Sequence, residues 1–190
     1  MSLLSTDSFV VEQPWSAMSL LLRPKYRVEA YDGRDLPLGF ADETRRALGV
    51  GFLRAMSLSR WTPFHLRAVA ADGRTVLVIT KPAGFFRRPT KVAWPNGQPI
   101  GSIVPQRGRY ALLDANGTQL CLLGDVAHFQ VGHIKKRNGN RVRRDVIQIR
   151  PGTSGPVRPL VVAAALAFDV VRGIGTNHLS SDAGSFLPIE

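Results

Sequence analysis

Five dipeptides, Asp32-Gly33, Asp72-Gly73, Asn96-Gly97, Asn116-Gly117 and Asn138-Gly139, punctuate this chain. Asn-Gly and Asp-Gly readily supply the positive φ angles that tight hairpins demand, so each predicts a turn between two antiparallel strands. The flanks agree. Residues 26–31 precede the first turn, 75–80 follow the second, and 110–113 and 119–123 bracket the fourth; these short runs, rich in Val, Leu, Ile, Tyr and Thr, suit a sheet buried on one face. Five hairpins imply about ten strands, and short strands at close spacing predict a sandwich or a barrel. Their irregular spacing excludes propeller blades and solenoid repeats.

Two segments leave the strand pattern. Residues 41–58 begin with helix formers but carry Gly49 and Gly51 in their middle, which predicts a short helix, a loop or both. Residues 157–172 (VRPLVVAAALAFDVVR) are apolar almost all round, with Pro159 suited to a first turn and Gly173 to a C-cap. A helix of this kind must be buried in protein or in lipid. Its uninterrupted apolar run, residues 160–168, holds nine residues, whereas a bilayer span takes roughly 20. Ala163, Ala164, Ala165 and Ala167 allow strands to approach closely. The expected place for this helix is therefore inside a closed sheet, with Asp169 where burial ends or beside a partner.

A length of 190 residues, 44% hydrophobic and 21% charged, is that of one folded domain. Cys121 is the only cysteine, so neither an intramolecular disulfide nor a Cys-based zinc site is expected. Residues 1–22 lack a basic n-region, and Asp7, Glu12, Gln13 and Pro14 cut their apolar stretches, so a cytoplasmic protein is expected. Against 14 Asp plus Glu stand 25 Lys plus Arg, a net +11. Such a surface attracts polyanions: phosphorylated headgroups, nucleic acid or acidic proteins. The competing explanation is that the excess only maintains solubility.

The cations concentrate in two places. Phe85, Phe86, Arg87, Arg88 and Lys91 put aromatics beside charge, and Lys135, Lys136, Arg137, Arg141, Arg143 and Arg144 load the hairpin around Asn138-Gly139. Either cluster suits phosphates, and each cation near an anionic membrane contributes about 1 kcal/mol. The bland alternatives are core phenylalanines and a charge-protected sheet edge. His65, His128, His133 and His178 have no spacing that makes a zinc site. Gly173-Ile174-Gly175 follows a helix and opens no βα unit, and there is no phosphate-binding loop or nucleophile elbow. No catalytic, cofactor-binding or metal-ligating residue is expected, and the chain reads as a non-enzyme.

Residues 94–125 (WPNGQPIGSIVPQRGRYALLDANGTQLCLLGD) resemble the phospholipid scramblase and LURP-one-related group, which shares the Tubby-like fold. The features that carry the resemblance are Asn96, Gly97, Ile100, Gly101, Gln106, Tyr110, Asp114, Ala115, Gly117 and Gly124. Residues 26–43, Lys81-Pro82, and residues 160–171 with Asp169 are similar to that group's first hairpin, its Arg-Pro and its terminal helix. The resemblance implies a closed antiparallel barrel of about twelve strands around a central apolar helix. It divides the chain into an N-terminal extension (1–19), the barrel (20–173, with its helix at 157–172) and a C-terminal tail (174–190). It further implies a peripheral protein at the inner membrane face that binds anionic phospholipids through Arg87, Arg88, Lys91 and the basic hairpin. The alternative is a nucleic-acid-associated or regulatory protein using the same basic surface. The group's acidic stretch, proposed to bind calcium, is not matched, because residues 144–159 hold Asp145 as their only carboxylate. A cysteine cluster for acylation is absent as well.

Overall fold

The computed structural model describes residues 2–14, 26–44, 62–84, 88–130, 132 and 134–172. Twelve strands form one antiparallel sheet: β1 (Ser8–Pro14), β2 (Arg27–Tyr31), β3 (Pro37–Glu43), β4 (Phe64–Ala70), β5 (Thr75–Lys81), β6 (Thr90–Ala93), β7 (Pro99–Gln106), β8 (Arg109–Asp114), β9 (Gln119–Leu122), β10 (Ala127–Gln130), β11 (Ile134–Arg137) and β12 (Asn140–Ile149). Their order in the ladder is β10-β12-β1-β2-β3-β4-β5-β6-β7-β8-β9, with β11 also paired to β12. Among the described residues three helical pieces accompany the sheet: α1 (Leu123–Val126), α2 (Val157–Leu166) and α3 (Phe168–Arg172).

All five Asn-Gly and Asp-Gly dipeptides lie in hairpin turns, but they use two geometries. Asn138 (φ 50°) and Gly139 (φ 79°) are both left-handed and form a two-residue loop between Arg137 and Asn140. The turns at Asp72-Gly73, Asn96-Gly97 and Asn116-Gly117 are a residue longer, and only their glycines have positive φ. In the last of these, Asp114 Oδ1 accepts the Asn116 and Thr118 N–H groups. In the turn at Asp32-Gly33 the left-handed residue is Asp35 (φ 61°). Each of these longer turns leaves a bulge in an adjoining strand.

The sheet is strongly curved. Helix α2 packs against β2, β5 and β7. In a flat sheet β2 and β7, five strand spacings apart, would be separated by about 24 Å, too far for a helix about 10 Å across to touch both. The sheet therefore curls around α2, and residues Leu160 to Leu166 are buried throughout. Gly39 and Gly101 permit the tight strand contacts: a Cβ would lie 2.2 Å from the Val69 carbonyl oxygen in one case and 2.0 Å from that of Leu113 in the other.

Four expectations need correction. The ladder does not close: β9 and β10 stand at its two ends and do not pair with each other. After four residues β9 turns into α1, which packs against β8, β9 and β10 and occupies the seam. The expected N-terminal extension contains β1, an inner strand paired with both β12 and β2. The expected helix over 157–172 is divided at Ala167 (φ −106°, ψ 25°), although its N–H still donates to the Ala163 carbonyl. Residues 41–43 belong to β3, not to a helix; residues 45–58, the tail at 174–190 and the Asp169 side chain lie outside the described set.

Gly101→Ala should cost about 1–3 kcal/mol by urea unfolding, because backbone must move to admit the methyl group. Gly33→Ala should stay within about 0.5 kcal/mol, since its new methyl meets nothing within 4 Å.

Candidate functional site

The basic hairpin divides into paired and unpaired cations. Residues 143 and 145 of β12 form a buried pair, with Arg143 Nη2 2.8 Å from Asp145 Oδ2 and Arg143 Nε donating to the same oxygen at 3.0 Å. Asp145 Oδ1 also accepts the Gly132 N–H. Arg143 is only 4% exposed and is a structural residue, out of reach of a surface ligand.

On the outer face, Glu12 lies directly across from Arg144 on one side and from Glu29 on the other. Glu12 Oε2 is 3.0 Å from Arg137 Nε, and Arg144 Nε is 3.2 Å from Oε1, close enough for attraction but not aligned as a hydrogen bond. Both guanidiniums continue to Asp35, at 2.6 Å from Arg144 and 3.5 Å from Arg137. The Arg144 hydrogen bond holds the Asp35 carboxyl below its ordinary range. Arg137 also stacks 4.1 Å over the Tyr31 ring, and the Tyr31 hydroxyl donates to Glu29. Beside this network lies a groove of about 250 Å³ lined by Arg27, Glu29, Tyr31, Gly39 and Phe40. Its cation, Arg27, pairs with Glu29 at 3.3 Å and covers Phe40, so the groove walls are electrically balanced.

Burial raises the Glu12 carboxyl above its ordinary value by more than the attraction of Arg137 and Arg144 lowers it. The carboxylate is thus held in place at an energetic cost.

Lys135, Lys136 and Arg141 remain exposed and have no ion-pair partner among the described residues. Lys136 and Arg141 face each other across the hairpin. Arg88 and Lys91 are likewise exposed and unpaired among the described residues. Phe85, Phe86 and Arg87 lie outside the described set. Hence the sequence-derived list of nine cations separates into five available ones, three held in ion pairs, and Arg87.

Other chemistry is sparse. No cluster of three His, Cys, Asp or Glu able to hold a metal occurs among the described residues. His65 Nδ1 bonds Thr80 Oγ1 across β4 and β5, a strand-strand contact. Burial, aided by Asp125, raises the Cys121 thiol, which makes it a poor nucleophile. No described helix is long and apolar enough to cross a membrane. No protein-family model, curated protein or solved structure matches this chain.

Arg143→Met should cost about 3–5 kcal/mol in urea unfolding, because it strands the buried Asp145 charge. Glu12 gives a pH test. An acid whose folded pKa is raised contributes stability below its unfolded value and loses that contribution as pH rises through the folded value. Glu12→Gln should therefore gain on the wild type as the pH is raised from the ordinary Glu range to neutrality; a growing deficit over that interval would contradict the dominance of burial.

Proposed function

We propose that this chain is a non-enzymatic, scramblase-like protein of the Tubby-like group that binds anionic phospholipid headgroups from the cytoplasmic side of a membrane. The observation that carries this reading is the set of exposed cations left without counter-ions among the described residues, Lys135, Lys136 and Arg141 on one hairpin and Arg88 and Lys91 on another part of the sheet. Buried inside the curled sheet, helix α2 is not the membrane-contacting element. A curved sheet around a buried apolar helix agrees with the Tubby-like resemblance, with α1 occupying the seam that the resemblance fills by strand pairing. Binding is then peripheral and electrostatic, each cation contributing about 1 kcal/mol within a Debye length of the surface.

Co-sedimentation with phosphatidylcholine vesicles, with and without phosphatidylserine, tests this. The protein should pellet only with the anionic vesicles and should be released by added salt. Joint replacement of Lys135, Lys136 and Arg141 by Gln should weaken binding by about 100-fold, from three contributions of about 1 kcal/mol each. Equal binding to neutral vesicles would sink the proposal; RNA or DNA binding without vesicle binding would replace it with the nucleic-acid alternative.

A further inference from the structure

The charge is segregated along the chain in a way that the ion pairs make visible. Residues 73–113 contain seven Lys or Arg and no Asp or Glu. This stretch forms β5, β6, β7 and nearly all of β8, four consecutive strands of the ladder. The next carboxylate, Asp114, lies at the far end of β8 and is occupied by turn N–H groups. The first cation of the stretch, Arg74, pairs with Asp72 just before it, but Arg88, Lys91, Arg107 and Arg109 have no ion-pair partner among the described residues, whereas Arg27, Arg67, Arg137 and Arg144 elsewhere are neutralised.

Within the sector, four described cations gather at one end. The β5–β6 connection, which carries Arg88, and the β7–β8 turn lie at the same end of the ladder, because Thr90 pairs with Ile103 and Gln106 with Arg109. Register places Lys91, Gln106 and Arg109 on the outer face, opposite to the buried Thr90, Val92, Ile103 and Leu112. Arg107 and Gly108 form the tip between them.

Arg107 is the unusual residue. The β7–β8 turn is a two-residue loop with φ 44° at Arg107 and φ 82° at Gly108, the same geometry as Asn138 (50°) and Gly139 (79°) in the β11–β12 turn. Asn suits that first position, and a long side chain in left-handed backbone is strained. The fold alone favours Asn at position 107, yet an arginine stands there, followed two residues later by Arg109.

We infer that the corner formed by Arg88, Lys91, Arg107 and Arg109 is a second anion-docking face, and that its partner is the surface of an anionic phospholipid bilayer. This rests on the membrane reading above and adds a location to it. A bilayer fits better than a single bound anion, because the cations are spread out. Lys91 lies level with Ser102 and Arg109 with Gln106, about 13 Å along the strand direction, which spans an array of headgroups and exceeds one phosphate.

The test uses the full chain and phosphatidylcholine vesicles containing phosphatidylserine. Two double variants each remove two exposed charges: Arg107→Asn with Arg109→Gln in the corner, and Arg34→Gln with Arg150→Gln outside the sector. The corner variant should bind at least about 10-fold more weakly, while its melting temperature holds or rises because Asn relieves the left-handed strain. The control variant should bind within about threefold of wild type. Equal losses in the two variants would mean that net charge alone matters, and undiminished binding by the corner variant would remove the corner from the interface; either overturns the inference while leaving membrane binding in place. Wild-type protein that ignores these vesicles, with or without capture of RNA, overturns both.

Discussion

Helix α2 has no polar face, and the rest of the fold follows from that. An all-apolar helix needs partners on every side, and a sheet can supply them only by curving far enough for β2, β5 and β7 to touch one cylinder. The chain ties down both ends of the helix. At the start, Arg158 donates to the Leu4 and Thr153 carbonyls and pairs with Asp7 at 2.8 Å. At the end, the Tyr26 hydroxyl donates to the Leu166 carbonyl, one of the acceptors that a helix terminus leaves unsatisfied. The N-terminal residues are thereby drawn into the domain, with Leu3 fully buried and β1 held between β12 and β2.

What was legible in the sequence was local. Asn-Gly and Asp-Gly dipeptides located five turns because their chemistry acts within four residues, and the apolar run at 157–172 located the helix because its burial requirement does not depend on what buries it. Turn geometry was less legible: only Asn138-Gly139 uses positive φ at both positions, whereas the others place one residue there and absorb the mismatch as a bulge. The Arg107-Gly108 turn is not legible, since arginine carries no turn signal. Strand β1 is illegible for a non-local reason. Core-facing Phe9 and Val11 alternate with outer-face Val10 and Glu12, but all four are buried, Glu12 beneath arginines more than 120 positions away in sequence, so no polar-out pattern marks the strand. Closure is equally non-local, since it depends on whether β9 and β10 pair, and the sequence between them folds into α1 instead.

Charge repeats the lesson at larger scale. A net +11 states an excess without saying where the excess lies. The hairpin around Asn138-Gly139 is the densest basic segment, yet Arg137, Arg143 and Arg144 are drawn into contacts with Glu12, Asp35 and Asp145. Carboxylates placed elsewhere in the chain decide which cations remain to act on anything outside the protein.

The cations that hold the fold and the cations that face solvent are therefore different sets with different physical constraints. Arg143 cannot be lost without stranding a buried charge, and Arg137 and Arg144 cover a carboxylate that burial already disfavours. Lys135, Lys136 and Arg141 carry no such obligation, nor do Lys91 and Arg109. Arg107 goes further, because its backbone conformation would be met better by Asn. A residue that the fold tolerates at a cost, in a sector with no acid to pair with it, has its physical rationale in what the sector meets outside the protein. That reasoning separates an electrostatic interface from a merely soluble surface: the solubility argument accounts for the number of charges, but it does not account for an arginine at a tip position where arginine is conformationally disfavoured.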